Sequence, residues 1–69
     1  MTQRDVIFEF TQVGNSVKVT AMDAETLVEV SIVGPANAQQ AHLRQAALSK
    51  LNYVLAQMQK KADRADDLG

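Results

Sequence analysis

The chain has no cysteine and no tryptophan, a single histidine, and only two phenylalanines and one tyrosine among 69 residues. Without cysteine, thiol catalysis, the usual zinc ligand sets and a secreted disulfide framework are all excluded, and a reducing cytoplasm is the expected compartment. No apolar run approaches the ~18 residues that a membrane span requires. Met1-Thr2-Gln3-Arg4-Asp5 turns acidic at once and does not read as the start of a signal peptide. Seven Lys/Arg against eight Asp/Glu give a net charge of −1, too little for whole-molecule attraction to nucleic acid or anionic lipid. A chain this short buries only about 60% of the surface its unfolded form exposes. Small cores are usually supplemented by disulfides, a metal or a second subunit, which here leaves oligomerisation or an efficient single core.

What is present is patterning. Val6, Phe8 and Phe10, then Val17, Val19 and Ala21, then Val28, Val30 and Ile32 fall on alternate positions, the period of half-buried strands. Gly14-Asn15 between the first two runs reads as a two-residue hairpin turn, with glycine supplying the positive φ at the first turn position. Pairing Val13 with Ser16 sets Phe10 against Val19 and Phe8 against Ala21, so the apolar sets share one face; a one-residue slip would turn one set to water. For the second connection we expect a four-residue loop, Asp23-Ala24-Glu25-Thr26, pairing Met22 with Leu27 and Val19 with Val30.

Gly34-Pro35 stops the third strand. A helix is expected to start between 35 and 38, from Pro35 at its first position or from an Asn37/Gln40 capping box. Ala47, Leu48, Leu51, Val54, Leu55 and Met58 lie within about 60° of Leu51 on a helical wheel, with Leu43 and Ala41 at the margins. The expected architecture is α+β: a three-stranded antiparallel meander covered on one face by a single long C-terminal helix. We divide the chain into a flexible segment over 1–4, one domain over 5–62 and a disordered acidic tail over 63–69.

Residues that carry chemistry are sparse. His42 falls on the solvent side of the helix with no acidic or thiol neighbour at helical spacing, so neither metal binding nor acid–base work has a partner for it. Glu9 and Glu29 flank the middle strand on the outer sheet face, where charges make modest cross-strand pairs and discourage edge-to-edge association. Asp63, Asp66 and Asp67 lack the alternating oxygen ligands of a calcium loop. Gly14 and Gly34 stand outside any phosphate-binding motif, and Ser16, Ser31 and Ser49 have no base in a motif with them. We therefore expect no enzyme, no cofactor and no metal.

Two features of the helix remain. Residues 36–62 hold Arg44, Lys50, Lys60 and Lys61 and no acid; Arg44 lies near the middle of the apolar stripe, where its stem packs and its head stays wet. These four are the candidate residues for nucleic-acid binding, although stacking aromatics are wanting, since only Tyr53 points outward. On the outward side Ala46, Ser49, Tyr53 and Ala56 form a small-residue stripe around one tyrosine, a candidate protein-interaction surface. The expected function is a non-enzymatic interaction domain, homodimeric through this stripe or an exposed strand edge, with weak nucleic-acid binding as the alternative.

VIFEFTQVGNSVKVTAMD, VEVSIVGPANA and LRQAALSKLNYVLAQ together resemble a family of short bacterial, alphaproteobacterial proteins of unknown function, over about residues 5–59. The resemblance rests on turn and core positions and implies a small cytoplasmic protein, with no catalytic residue to carry over. The element order is also similar to the latter part of a double-stranded-RNA-binding domain. The first helix of that fold is missing here, and Pro35-Ala36-Asn37-Ala38-Gln39-Gln40 carries no Lys or Arg.

Overall fold

In a computed structural model, the backbone is described for residues 5–68 and the side chains for 5–61. Three strands, β1 (Val6–Val13), β2 (Ser16–Asp23) and β3 (Glu29–Pro35), form an antiparallel sheet in the order β1-β2-β3, and one helix, α1 (Gln40–Leu68), follows. The α+β meander expected from the alternation is therefore the fold. The N-terminal segment 1–4 lies outside the described residues. The backbone of α1 continues to Leu68 through the stretch expected as an acidic tail.

The first hairpin has the expected register: Val13 pairs with Ser16, Phe10 with Val19 and Phe8 with Ala21. Gly14 has φ +60° and Asn15 has no positive φ, the signature of a type II′ turn, whose twist suits a two-residue hairpin.

The second hairpin differs by two residues from the register expected. Val19 pairs with Ile32, Ala21 with Val30 and Met22 with Glu29. The loop has the expected four residues but consists of Ala24–Leu27, because Asp23 belongs to the sheet: its N–H donates to the Val28 carbonyl at 2.9 Å. Asp23 also organises the turn. Its carboxylate accepts the Thr26 N–H at 3.0 Å and the Thr26 hydroxyl at 2.7 Å, and its carbonyl accepts the Leu27 N–H at 2.7 Å. Leu27 closes the loop in the left-handed region at φ 64°. A shift of two residues keeps each side chain on its face, so the apolar pattern alone does not separate the two registers.

The helix starts later than expected. Pro35 remains in β3, opposite Ser16, and the Ala36 N–H donates to the Asn15 carbonyl at 2.8 Å, so the chain is still tied to the sheet where the helix was expected to begin. A turn follows, with the Ala38 N–H on the Pro35 carbonyl at 3.0 Å. The Gln39 carbonyl then accepts the N–H groups of His42 and Leu43, each at 3.1 Å. The Asn37/Gln40 capping box is not realised, since Gln40 is the first helical residue.

Among the described residues, Val19, Ala21, Val30, Leu43, Ala47 and Leu51 are the buried apolar residues. Leu43, marginal on the wheel, is central in fact, because Gly34 admits it: a Cβ built on Gly34 would stand 2.5 Å from Leu43 Cδ2. From Gln40 to Leu55 the helix rises about 24 Å, close to the ~26 Å of an eight-residue strand. Past Leu55 it leaves the sheet, and Ala56–Lys61 are all exposed; Met58, expected in the core stripe, is half exposed.

Three substitutions test this account by chemical denaturation. Gly34→Ala is expected to cost about 1 kcal/mol, the low end for overpacking, since the atom a Cβ would meet is a terminal methyl of Leu43 beside a hollow. Asp23→Ala is expected to cost about 2 kcal/mol, since it leaves the turn donors without their acceptor. Leu27→Gly is expected to raise the unfolding midpoint, because relief of a left-handed side-chain conformation, about 1 kcal/mol, exceeds the entropy cost of glycine there.

Candidate interaction surface at the open sheet edge

A helix is about 10 Å across and strands are spaced about 4.8 Å apart, so one helix roofs about two strands. Here α1 packs on β2 and β3. The helix-side residues of β1, namely Val6, Phe8 and Phe10, are only half-buried. Leu48 and Leu55 of α1 are half-buried as well. A hollow of ≈ 230 Å³ between Phe10, Gln12 and Val17 of the sheet and Ala38 and Leu43 above prolongs this uncovered zone toward the start of α1.

Arg44 occupies part of the gap. Its guanidinium carbon lies 5.5 Å from the centroid of the Phe8 ring and 5.9 Å from that of Phe10, so the exposed cation rests on two aromatic faces. Arginine and aromatics are also the residue types that concentrate binding energy at interfaces.

The two sheet edges differ. Val13 and Ser16 flank a two-residue turn and so form a hydrogen-bonded pair; bonded pairs recur at every second residue. Val6, Phe8, Phe10 and Gln12 therefore direct their N–H and C=O groups away from β2. On β3 the corresponding outward residues are Glu29, Ser31, Val33 and Pro35, since Val28 bonds inward to Asp23. The β3 edge is blunted: Lys50 Nζ donates to the Ser31 carbonyl at 2.8 Å, and Pro35 has no N–H to offer. Among the described residues no side chain hydrogen-bonds to the outer edge of β1. An open edge of this kind is a template for another strand.

The basic residues considered for nucleic acid do not converge. Arg44 turns to β1, Lys50 to the β3 edge, and Lys60 and Lys61 lie exposed on the part of α1 beyond the sheet. Ala46, Ser49, Tyr53 and Ala56 are all exposed, as a stripe facing away from the sheet. His42 is exposed in the first turn of α1. Among the described residues no group of three or more His, Cys, Asp or Glu is placed to hold a metal ion, and no helix is long and apolar enough to cross a membrane. At the far end, an open cleft of ≈ 560 Å³ between the β2–β3 turn and the overhanging helix joins Asp23, Glu25 and Asn52 to Val28, Leu55 and Met58.

The chain belongs to the DUF6898 family, a domain of unknown function. The family model matches residues 3–58, in keeping with the resemblance over about 5–59 to a family without known function. The match takes in all three strands and the part of α1 that covers the sheet, hence the β1 edge, Arg44 and Lys50, and it stops before Lys60 and Lys61. No curated protein and no solved structure matches the chain.

The incomplete cover of Phe8 and Phe10 is not evident from alternation, which reports a shared face and not how far a helix covers it. Two substitutions measure the flanking contacts. Arg44→Ala is expected to cost about 0.5–1 kcal/mol, the value of an exposed cation–π contact. Lys50→Ala is expected to cost about 1 kcal/mol by loss of one hydrogen bond to a carbonyl, with both read from urea unfolding at one fixed protein concentration.

Proposed function

We propose that this domain is a non-enzymatic, self-associating interaction module of a cytoplasmic bacterial protein, and that a second copy covers the apolar strip of β1. The observation that carries the reading is the placement of α1 over β2 and β3, which leaves Val6, Phe8 and Phe10 half-exposed beside an open strand edge. The small set of buried apolar residues among those described supports it, since a core of this size commonly depends on added contacts. The resemblance to short bacterial proteins and the absence of cysteine support the cellular setting.

Self-association of this kind couples folding to concentration. Sedimentation of the purified chain over a dilution series is expected to show a dimer that dissociates at low concentration, with a thermal midpoint that rises with protein concentration. Phe8→Lys, a charge on a half-buried position, is expected to give a monomer whose circular dichroism keeps the strand and helix content. A wild-type chain that is monomeric and equally stable at every concentration overturns the reading.

A further inference from the structure

We infer that the second copy is held by antiparallel pairing of β1 with its symmetry mate, with Phe8 on the two-fold axis, so that two three-stranded sheets join into one of six strands. This rests on the self-association proposed above and says how it is built.

Backbone geometry restricts the choices first. In an antiparallel ladder a residue with outward N–H and C=O groups must face another of the same kind. Because the outward residues of β1 are Val6, Phe8, Phe10 and Gln12, the two-fold axis has to pass through a residue. Any such axis sets even-numbered residues against even-numbered ones, which brings the two apolar strips together on one face and both helices to the same side.

Side chains then choose among the axes. An axis at Glu9 would place Glu9 directly opposite its own copy, a like-charge pair at the closest cross-strand separation. An axis at Ile7 would set Glu9 against Asp5 of the second copy, twice over. An axis at Phe10 would oppose Phe8 with Gln12 and run the pairing past the strand end into the Gly14 turn. With Phe8 on the axis, Val6 meets Phe10, Phe8 meets Phe8 and Phe10 meets Val6, so each member of the strip finds an apolar partner. On the other face Ile7 meets Glu9 and Asp5 meets Thr11, without like charges. The pairing supplies about six backbone hydrogen bonds.

The same chemistry ends the assembly at two copies. The edge left outside on each side is β3, which Lys50 and Pro35 blunt, so strand addition closes as a dimer and does not propagate. Glu9 discourages its own register and leaves the neighbouring one favoured.

The chain has no native cysteine, so introduced thiols report without background. Asp5 and Thr11 are exposed and, with Phe8 on the axis, stand opposite each other across the two chains, within the 4.4–6.8 Å Cα separation a disulfide spans. Within one chain they are about 20 Å apart. Under mild oxidation the double variant Asp5→Cys/Thr11→Cys, and a mixture of the two single variants, are expected to yield a covalent dimer, whereas neither single variant does so alone. Tyr53→Cys serves as the comparison on the outer helix face. If sedimentation shows a dimer but only Tyr53→Cys cross-links, or Thr11→Cys cross-links by itself, strand pairing about Phe8 is overturned while self-association stands. If sedimentation shows no dimer, both fall together.

Discussion

The helix packs on two of the three strands, and the position α1 takes over the sheet governs the rest of this structure. Two contacts draw it toward β3. Gly34 lacks the Cβ that would collide with Leu43, so the first turns of α1 settle closely on the end of β3. Further along, Lys50 reaches over the β3 edge to the Ser31 carbonyl. Both lie on the same flank of the helix, and on the opposite flank Arg44 reaches over Phe8 and Phe10 of β1, which stay only half-buried.

The consequence is a sheet with two unlike edges. The β3 edge has a lysine on one carbonyl and a proline where an N–H would be, whereas the β1 edge retains its backbone groups beside a half-covered apolar strip. Arg44 over Phe8 and Phe10 fits this arrangement: it keeps a charge in water above rings that would otherwise be bare. Residues that seem unrelated in the sequence, Gly34, Arg44 and Lys50, thus act on one question, which is how much of β1 is left for another strand.

The legible parts of the sequence were those in which local chemistry and pattern agree. Gly14-Asn15 marks a two-residue turn, the turn sets the register, and the alternation of Phe8, Phe10, Val17 and Val19 excludes a one-residue slip from it. The second hairpin lacked that redundancy. A two-residue shift leaves the alternation intact, and the choice falls to Asp23, whose carboxylate binds Thr26 from inside the sheet, and to Leu27, a residue with little local preference for the conformation it adopts. The helix start was misplaced for a similar reason, since the tie from Ala36 to Asn15 is a contact between distant parts of the chain. The interaction surface proposed for this chain is legible in the sequence only as two alternatives, a helix face or a strand edge.

By itself the sequence determined the meander, its first register, the apolar stripe of the helix and the absence of thiol chemistry, because periodicity, turn residues and composition are local properties that survive without knowledge of neighbours. Tertiary structure decided which two strands the helix covers, where Arg44 and Lys50 reach, and which edge stays open. These depend on contacts such as Leu43 against Gly34 and Lys50 on the Ser31 carbonyl, between elements whose lateral offset no one-dimensional pattern encodes.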